Sequence, residues 1–260
     1  MKLRGALLTA LCLLSRTGAT AELHALRSAE DSDYRWTRIS LESAMPGTAI
    51  RVGWVHDYRA FSLPDAALGN GHVHRSGPSL RGQRGGLLWT LTPRLAVSSN
   101  VLRERQDFRA DDLQPAAELL LQQGRLTGGV ALTDALGRFQ PLPVLFWEPD
   151  AGPLQLRIGF PELRAGVPLG DTLRWENTLQ PKGGRWQVRD ADFTERAFLR
   201  QERWEFTTAL AYAPHPRWTL QLGLSLPLRE RWHLPQPDGP DLTRNPRLSP
   251  LPWLALHAGW

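Results

Sequence analysis

The feature that most constrains this chain is the alternation in residues 217–232, RWTLQLGLSLPLRERW. Trp218 and the leucines at even positions through Leu228 alternate with Thr, Gln, Gly, Ser, Pro and Arg. A period of two residues is typical of a β-strand, whose successive side chains point to opposite faces. One face of this strand therefore needs an apolar environment, and the other face needs a crowded or wet one.

The same alternation recurs along most of the chain, which predicts an all-β protein. The clearest segments are 50–59, 87–92, 95–101, 154–160, 203–212 and 254–260. Short, turn-like connections are MPGT at 45–48, TPR at 92–94, DALGR at 134–138, PLGD at 168–171 and PHPR at 214–217. Long polar loops are expected at 62–84, 102–124, 190–197 and 233–249, with a short helix over 111–123.

The first 21 residues have the pattern of a secretory signal peptide. Basic residues precede an apolar stretch, and the ATA that ends at Ala21 matches an A-x-A cleavage site. We therefore expect a signal peptide at 1–21 and a single domain at 22–260. The only cysteine, Cys12, lies in the signal, so disulfides cannot stabilise the mature chain. The signal carries three of the basic residues behind the net charge of +5, and the mixed remainder predicts no nucleic-acid partner.

Alternation alone fits a soluble sandwich, a soluble lipocalin-like barrel or a membrane-spanning barrel, because each of them buries one face. The composition of the two faces favours the membrane barrel. Lysine is nearly absent, the polar face carries small residues and arginine, and the apolar face carries leucine with tryptophan at its edges. From Trp218 to Leu228 the strand has the roughly 9–11 residues that a tilted membrane strand needs. Closure is expected, because hydrocarbon leaves no partner for an open sheet edge.

The chain ends LALHAGW, with apolar residues alternating back from an aromatic terminus. This segment resembles the last strand of bacterial outer-membrane β-barrel proteins, and the resemblance implies recognition of the strand ending at Trp260 by the outer-membrane assembly machinery. Segments 142–163 and 183–204 resemble a group of small uncharacterised barrels. The fold expected is a single up-and-down antiparallel transmembrane β-barrel of about 12 strands, or else ten. Short periplasmic turns, longer extracellular loops and a Gram-negative outer membrane as the location follow from the resemblance.

The tryptophans and one proline refine this expectation. Pro227 lies within a strand, where it predicts a β-bulge or the end of the membrane-embedded part. Tryptophans concentrate where membrane strands cross the two interfaces. The interfacial anchors expected in contact with outer-membrane lipid are Trp54, Trp89, Trp147, Trp204, Trp218, Trp232 and Trp260.

The histidines offer little chemistry at this level. His74 and Ser76 form an H-x-S pair, a spacing that some barrel lipid A deacylases use, but the expected position in a polar loop argues against catalysis. His72 and His74 have the spacing to share a metal, yet no third ligand follows at a useful distance. We therefore expect no catalytic residue, no metal and no cofactor.

A set of charged residues is predicted to face the lumen: Arg157, Arg185, Arg189, Arg203, Glu205, Arg229 and Arg231. Enclosed arginine must pair or stay wetted. The set either forms a basic constriction for anions or, as we favour, an ion-pair network that fills part of the barrel. The function expected is a non-enzymatic outer-membrane barrel, acting as a narrow channel or a passive membrane component. The alternatives are a lipid-modifying outer-membrane enzyme and a soluble periplasmic barrel that binds an apolar ligand.

Overall fold

The computed structural model describes residues 19–24, 35–62, 70–103, 108–189, 196–235, 242–244 and 250–258. These residues form a seventeen-stranded sheet with one short α-helix, α1 (Ser99–Arg103), and a 3-10 helical turn at Ala110–Asp112, which confirms the predicted all-β barrel. The strands are β1 (Ala19–His24), β2 (Arg35–Ala44), β3 (Ile50–Ser62), β4 (Asn70–Arg84), β5 (Leu87–Ser98), β6 (Leu113–Gln123), β7 (Leu126–Thr133), β8 (Gln140–Trp147), β9 (Asp150–Ala151), β10 (Leu154–Phe160), β11 (Leu163–Pro168), β12 (Leu173–Pro181), β13 (Gly184–Arg189), β14 (Arg196–His215), β15 (Trp218–Leu234), β16 (Leu242–Arg244) and β17 (Leu251–Ala258). The predicted signal peptide lies mostly outside the described residues, and its cleavage site after Ala21 falls within β1.

The sheet closes in two ways. The shorter closed circuit has nine strands: β1 to β5, β13, β14, β15 and β17. A longer circuit, antiparallel throughout and in chain order, has fourteen: β1 to β8, β10, β11, β12, β14, β15 and β17. The predicted count of twelve strands, or ten, matches neither circuit.

Strand β13 explains why both circuits exist. We call the end where β17 finishes at Ala258 the near end, and the opposite end the far end. Toward the near end, β14 pairs with β12 and β5 pairs with β6, whereas toward the far end β13 takes both places. It pairs antiparallel with β14 and contacts β5 through one parallel bridge, Gln187 to Val97. The barrel is therefore wide at the near end and narrower at the far end.

The outer and inner faces of the wall strands differ in composition. Large side chains with two-fifths or more of their surface exposed occur on the outer faces right around the barrel, such as Trp54, Leu119, Leu145, Trp175 and Leu222. Alternate residues on the same strands are buried and meet residues of distant strands inside. The period-two pattern of the sequence therefore separates outside from inside, as predicted.

Several predicted connections are instead strands. Residues 111–123 were expected to hold a helix, but β6 occupies 113–123, because the apolar residues there alternate across a sheet. Most of the polar segment 62–84 is β4, whose residues, glycines and arginines included, pair with β3 and β5. The TPR sequence lies within β5, so one long strand replaces two short ones.

The turns differ in one respect from the expected alternation. MPGT, PLGD and PHPR lie at the near end, as their pairing with neighbouring strands shows. DALGR joins β7 to β8 at the far end, because the tight turn after Gln123 reverses the chain first. The assignment of DALGR to the same side as the other short turns is therefore wrong.

The bulge predicted at Pro227 is confirmed. Glu205 pairs with Pro227, whereas Trp204 pairs with Arg229, so Leu228 is an extra residue on β15. A bulge of this kind shifts the alternation by one residue beyond it. In β15 the inward positions are odd before the bulge and even after it, which reverses the orientation of every side chain up to Leu234.

Candidate functional site

The far half of the barrel interior is filled by apolar side chains. Trp186 of β13 has no exposed surface and stacks with Trp232 at a ring-centroid distance of 6.4 Å. Phe61 contacts Trp232 from the other side at 4.4 Å. The whole cluster, which we call the apolar plug, contains Trp36, Phe61, Val73, Ala96, Trp186, Val188, Leu199, Trp232, Leu234 and Leu251. These residues come from eight strands around the ring, so the plug crosses the lumen.

A charged layer lies against the apolar plug. Arg59 is 4% exposed; its Nε donates to Asp57 at 3.2 Å and its Nη1 donates to the amide oxygen of Gln201 at 2.5 Å. The guanidinium carbon of Arg59 lies 4.9 Å from the ring centroid of Trp186. Arg75 lies 5.0 Å from the same ring, so two cations stack on one buried indole.

A second group of ion pairs surrounds Glu205, which is 2% exposed. One carboxylate oxygen lies 2.5 Å from Arg203 Nη2, and the other lies 3.0 Å from Lys182 Nζ. Arg203 also lies 3.7 Å from Glu230. The two cationic partners offset the desolvation cost of burying the Glu205 carboxylate, which an unpaired carboxylate would bear in full.

A third group is organised by Asp134, in the turn between β7 and β8. One of its oxygens, Oδ2, accepts from Arg75 Nη2 at 2.6 Å and from the backbone N–H of Arg185 at 3.0 Å. The other oxygen lies 3.7 Å from Arg94. Asp134 is 1% exposed, and through these contacts it joins β4, β5, β7 and β13. This turn therefore anchors β13 to β4 and β5.

The charged groups line a cavity of about 370 Å³ on the near side of the apolar plug. Cationic lining residues are Arg38, Arg59, Arg75, Arg94, Arg164 and Lys182. The carboxylates among its lining are those of Asp57 and Asp134. The described interior thus has a closed far half and a basic cavity below it.

The predicted luminal residues divide into three groups. Arg203 and Glu205 are buried inside, and Arg157 lies on the inner face of β10, stacked over Phe146 at 5.2 Å and paired with Glu148. The luminal position expected for Arg229 and Arg231 is wrong, because the bulge turns both outward.

The remaining two residues predicted to be luminal, Arg185 and Arg189, belong to β13. Arg185 lies on the opposite face of β13 from Trp186, and its guanidinium stacks on Phe198 at 3.6 Å, so its luminal assignment is also wrong. The side chain of Arg189 lies outside the described residues. Trp186 and Val188, rather than the arginines, occupy the inner face of β13.

The sequence pattern missed most of the charged residues that line the cavity. Arg75 lies in a segment that the sequence predicts to be a loop, and Arg94 lies in one that it predicts to be a turn. The sequence pattern therefore assigns neither residue to the inner or outer face of a strand. Asp57 and Arg59 already alternate with the apolar residues of β3, and this alternation was the available signal.

The predicted anchors are placed as follows. Trp54 and Trp147 are about half exposed on the outer face, and Trp204 lies beside Phe160 there. Trp89 covers Gly82 on the outside of β4, and Trp218 is half-buried on the outward positions of β15. Trp232 is wrong as an anchor because the bulge turns it into the apolar plug, and Trp260 lies outside the described residues.

A polar cluster lies on the outer face at the far end. His74, predicted to lie in a loop, is in β4 and its Nε2 is 2.8 Å from the hydroxyl of Ser99. The ring of Tyr58 lies 5.0 Å from that of His74 in a tilted arrangement, and its hydroxyl is hydrogen-bonded to His72 Nδ1 at 2.6 Å. Trp54 donates its indole N–H to Ser76 at 3.0 Å. The H-x-S pair is thus on an outward strand face, and the loop placement is wrong.

Comparison with known proteins yields no assignment: no protein-family model and no curated protein matches the chain. Within the described residues, no group of three or more His, Cys, Asp or Glu side chains is arranged to hold a metal ion. No helix in that part of the chain is long and apolar enough to cross a membrane.

Proposed function

We propose that this protein is an integral β-barrel of a Gram-negative outer membrane, with a lumen that does not form an open pore. The observation that carries the proposal is the apolar outer face. Side chains such as Leu145 (56% exposed), Leu222 (60%) and Leu228 (56%) project outward from strands all around the closed sheet. Soluble monomers rarely expose contiguous apolar patches beyond a few hundred Å².

The outer polar residues fit the same arrangement. Outward arginines such as Arg229 and Arg231 follow the bulge toward the far end, beyond the leucines of β15. Trp54, Trp147 and Trp175 flank apolar neighbours on the outer face, as interfacial aromatics do. This distribution supports an apolar band of the outer face in contact with lipid hydrocarbon, bounded by polar and aromatic residues.

The interior supports a passive component more than a channel. The apolar plug crosses the far half, and Asp134 holds β13 by accepting a hydrogen bond from the backbone N–H of Arg185. Ion conduction needs a continuous water-filled path, whereas the far half of this interior is filled by apolar side chains. The alternative of a soluble barrel with an apolar ligand receives no support, because the cavity is lined by arginines.

The test is fractionation followed by gel mobility and conductance. The expressed full chain is expected in the outer-membrane fraction and should migrate faster in unheated than in heated detergent gels. In planar bilayers the folded protein should show no steady conductance. Recovery in the soluble periplasm would refute the membrane assignment, and reproducible single-channel steps would refute the closed lumen.

A second candidate function, hydrolysis of an acyl ester, is favoured by one contact. Ser99 and His74 are within hydrogen-bonding distance, 2.8 Å, at the far margin of the outer face. A hydroxyl paired with an imidazole is the basic unit of nucleophilic catalysis, with His74 as the general base. Its position at the edge of the apolar face would present a membrane lipid to Ser99.

This candidate is tested by mass analysis of membrane lipids after incubation with the purified barrel. Loss of an acyl chain with wild type and with Ser76→Ala, but not with Ser99→Ala, would support it. Intact lipids with folded wild-type protein would exclude it.

A further inference from the structure

We propose that the basic cavity binds a small, soluble anion of the phosphate class, which enters from the near end. The proposal concerns the cavity of about 370 Å³ between the apolar plug and the wide near half. This volume falls within the range of about 300–1,000 Å³ that is usual for small-molecule sites.

The first argument is the charge balance of the lining. Four of its six cations have a carboxylate partner: Arg59 with Asp57 at 3.2 Å, Arg75 with Asp134 at 2.6 Å, Lys182 with Glu205 at 3.0 Å and Arg164 with Glu162 at 3.3 Å. Arg38 lies opposite Asp57 of β3 and opposite Glu22 of β1 in the strand register, so its charge is not counted as unpaired. Arg94 reaches only the already shared Asp134, at 3.7 Å. Arg94 therefore carries the excess positive charge of the cavity.

The second argument is the unsatisfied hydrogen-bonding capacity of the arginines. The Nε–H groups of Arg75 and Arg94 are buried and have no hydrogen-bond partner among the described residues. The side chain of Arg94 is only 16% exposed, so bulk water does not solvate it fully. Buried donors without partners are costly, and an acceptor in the cavity would satisfy them.

The chemistry of the lining selects the class of ligand. Guanidinium groups present a planar fork of donors that matches phosphate and carboxylate oxygens, and several of them converge here. A tetrahedral phosphate supplies oxygens in more directions than a carboxylate, which suits cations that project from three strands, β2, β4 and β5. Asp57 and Asp134 stay engaged by Arg59 and Arg75, so they orient the cations rather than repel the ligand.

The route of entry follows from the fold. The apolar plug closes the far side, so access is from the near end of the lumen. Arg164 lines both the cavity and a second depression of about 500 Å³ near the turn between β8 and β10, which Arg157 also lines. The two arginines, each paired with a glutamate, therefore line a continuous polar path along the inner wall. Because this path lies inside the barrel, the ligand is a soluble anion and not a lipid in the surrounding bilayer.

The experiment is calorimetric titration of the full-length folded protein in zwitterionic detergent with inorganic phosphate, with glycerol phosphate and chloride as comparisons. Wild type is expected to bind phosphate and glycerol phosphate, but not chloride at equal ionic strength. Arg94→Gln should weaken phosphate binding about ten- to a hundredfold, since a charged hydrogen-bonding partner is lost. Arg231→Gln, on the outer face, is the matched control and should bind like wild type.

A second variant guards against misfolding. Arg38 lines the cavity and is exposed to the lumen, so Arg38→Gln should fold normally and still weaken phosphate binding several-fold. Absence of phosphate binding by folded wild type would overturn the proposal, as would equal affinities of Arg38→Gln, Arg94→Gln and Arg231→Gln. Gel mobility and membrane fractionation test the barrel itself, so failure of the anion site is distinguishable from failure of the proposed function.

Discussion

Replacing Trp186 with alanine tests whether the apolar plug holds β13 in place. The indole has no exposed surface, stacks on Trp232 and carries the guanidinium groups of Arg59 and Arg75 on its ring. Truncating a buried tryptophan to alanine costs about 3–5 kcal/mol. The indole N–H has no partner among the described residues, and its removal returns about 1 kcal/mol or more. We therefore expect a net loss of roughly 2–4 kcal/mol in the free energy of unfolding.

The measurement is urea unfolding in detergent micelles, followed by far-UV circular dichroism and by the fraction of fast-migrating protein on unheated gels. Trp147→Ala is the matched control, because Trp147 is half exposed on the outer face and should cost roughly 0.5–1 kcal/mol. Trp186→Phe keeps the buried ring and removes the unpaired N–H, so it should lie within about 1 kcal/mol of wild type. If Trp186→Ala unfolded like wild type, or cost no more than Trp147→Ala, the plug would not be a stabilising element. Its effect on the lumen is measured separately, by appearance of conductance in planar bilayers.

Three further predictions follow from the interior and the turns. Glu205→Gln should destabilise the barrel by about 3–5 kcal/mol, because it removes the buried carboxylate that Lys182 and Arg203 share, whereas Glu42→Gln, whose partner Arg51 is largely exposed, should cost under about 1 kcal/mol; the same urea titration compares them. Gly137→Ala should be clearly more destabilising than Gly47→Ala, since both have positive φ but only Gly137 would bring a Cβ within 2.9 Å of Glu202, and comparable unfolding midpoints would contradict this. Deleting Leu228 removes the extra residue but leaves Arg229 opposite Trp204 and Trp232 facing inward, so the variant should still give a heat-modifiable band; loss of that band would refute the register.

The faces of individual strands could be predicted from the sequence, because they depend on a local rule. Successive side chains of a strand point to opposite sides, so Leu220, Leu222 and Leu224 share a face wherever the strand is placed. The apolar composition of that face also anticipates the outer surface. The bulge at Pro227 was predictable for the same reason, since proline cannot donate to the ladder.

The interior could not be predicted, because it depends on pairings between residues far apart in the chain. Nothing local distinguishes β13 from a wall strand, yet its bridge from Gln187 to Val97 narrows the barrel and places Trp186 in the lumen. The cavity brings together Arg38, Arg94 and Lys182 across more than a hundred residues of sequence, which no spacing rule connects.

The stretch from Trp218 to Trp232 contains both kinds of information. Its alternation by itself determined a β-strand with one apolar face, because that pattern is imposed by backbone geometry. The tertiary structure decided the orientation of the residues beyond Leu228, because only pairing with β14 locates the extra residue that reverses the faces. Trp218 therefore stays on the outer face, and Trp232, on the same strand and an even number of residues away, packs inside the barrel.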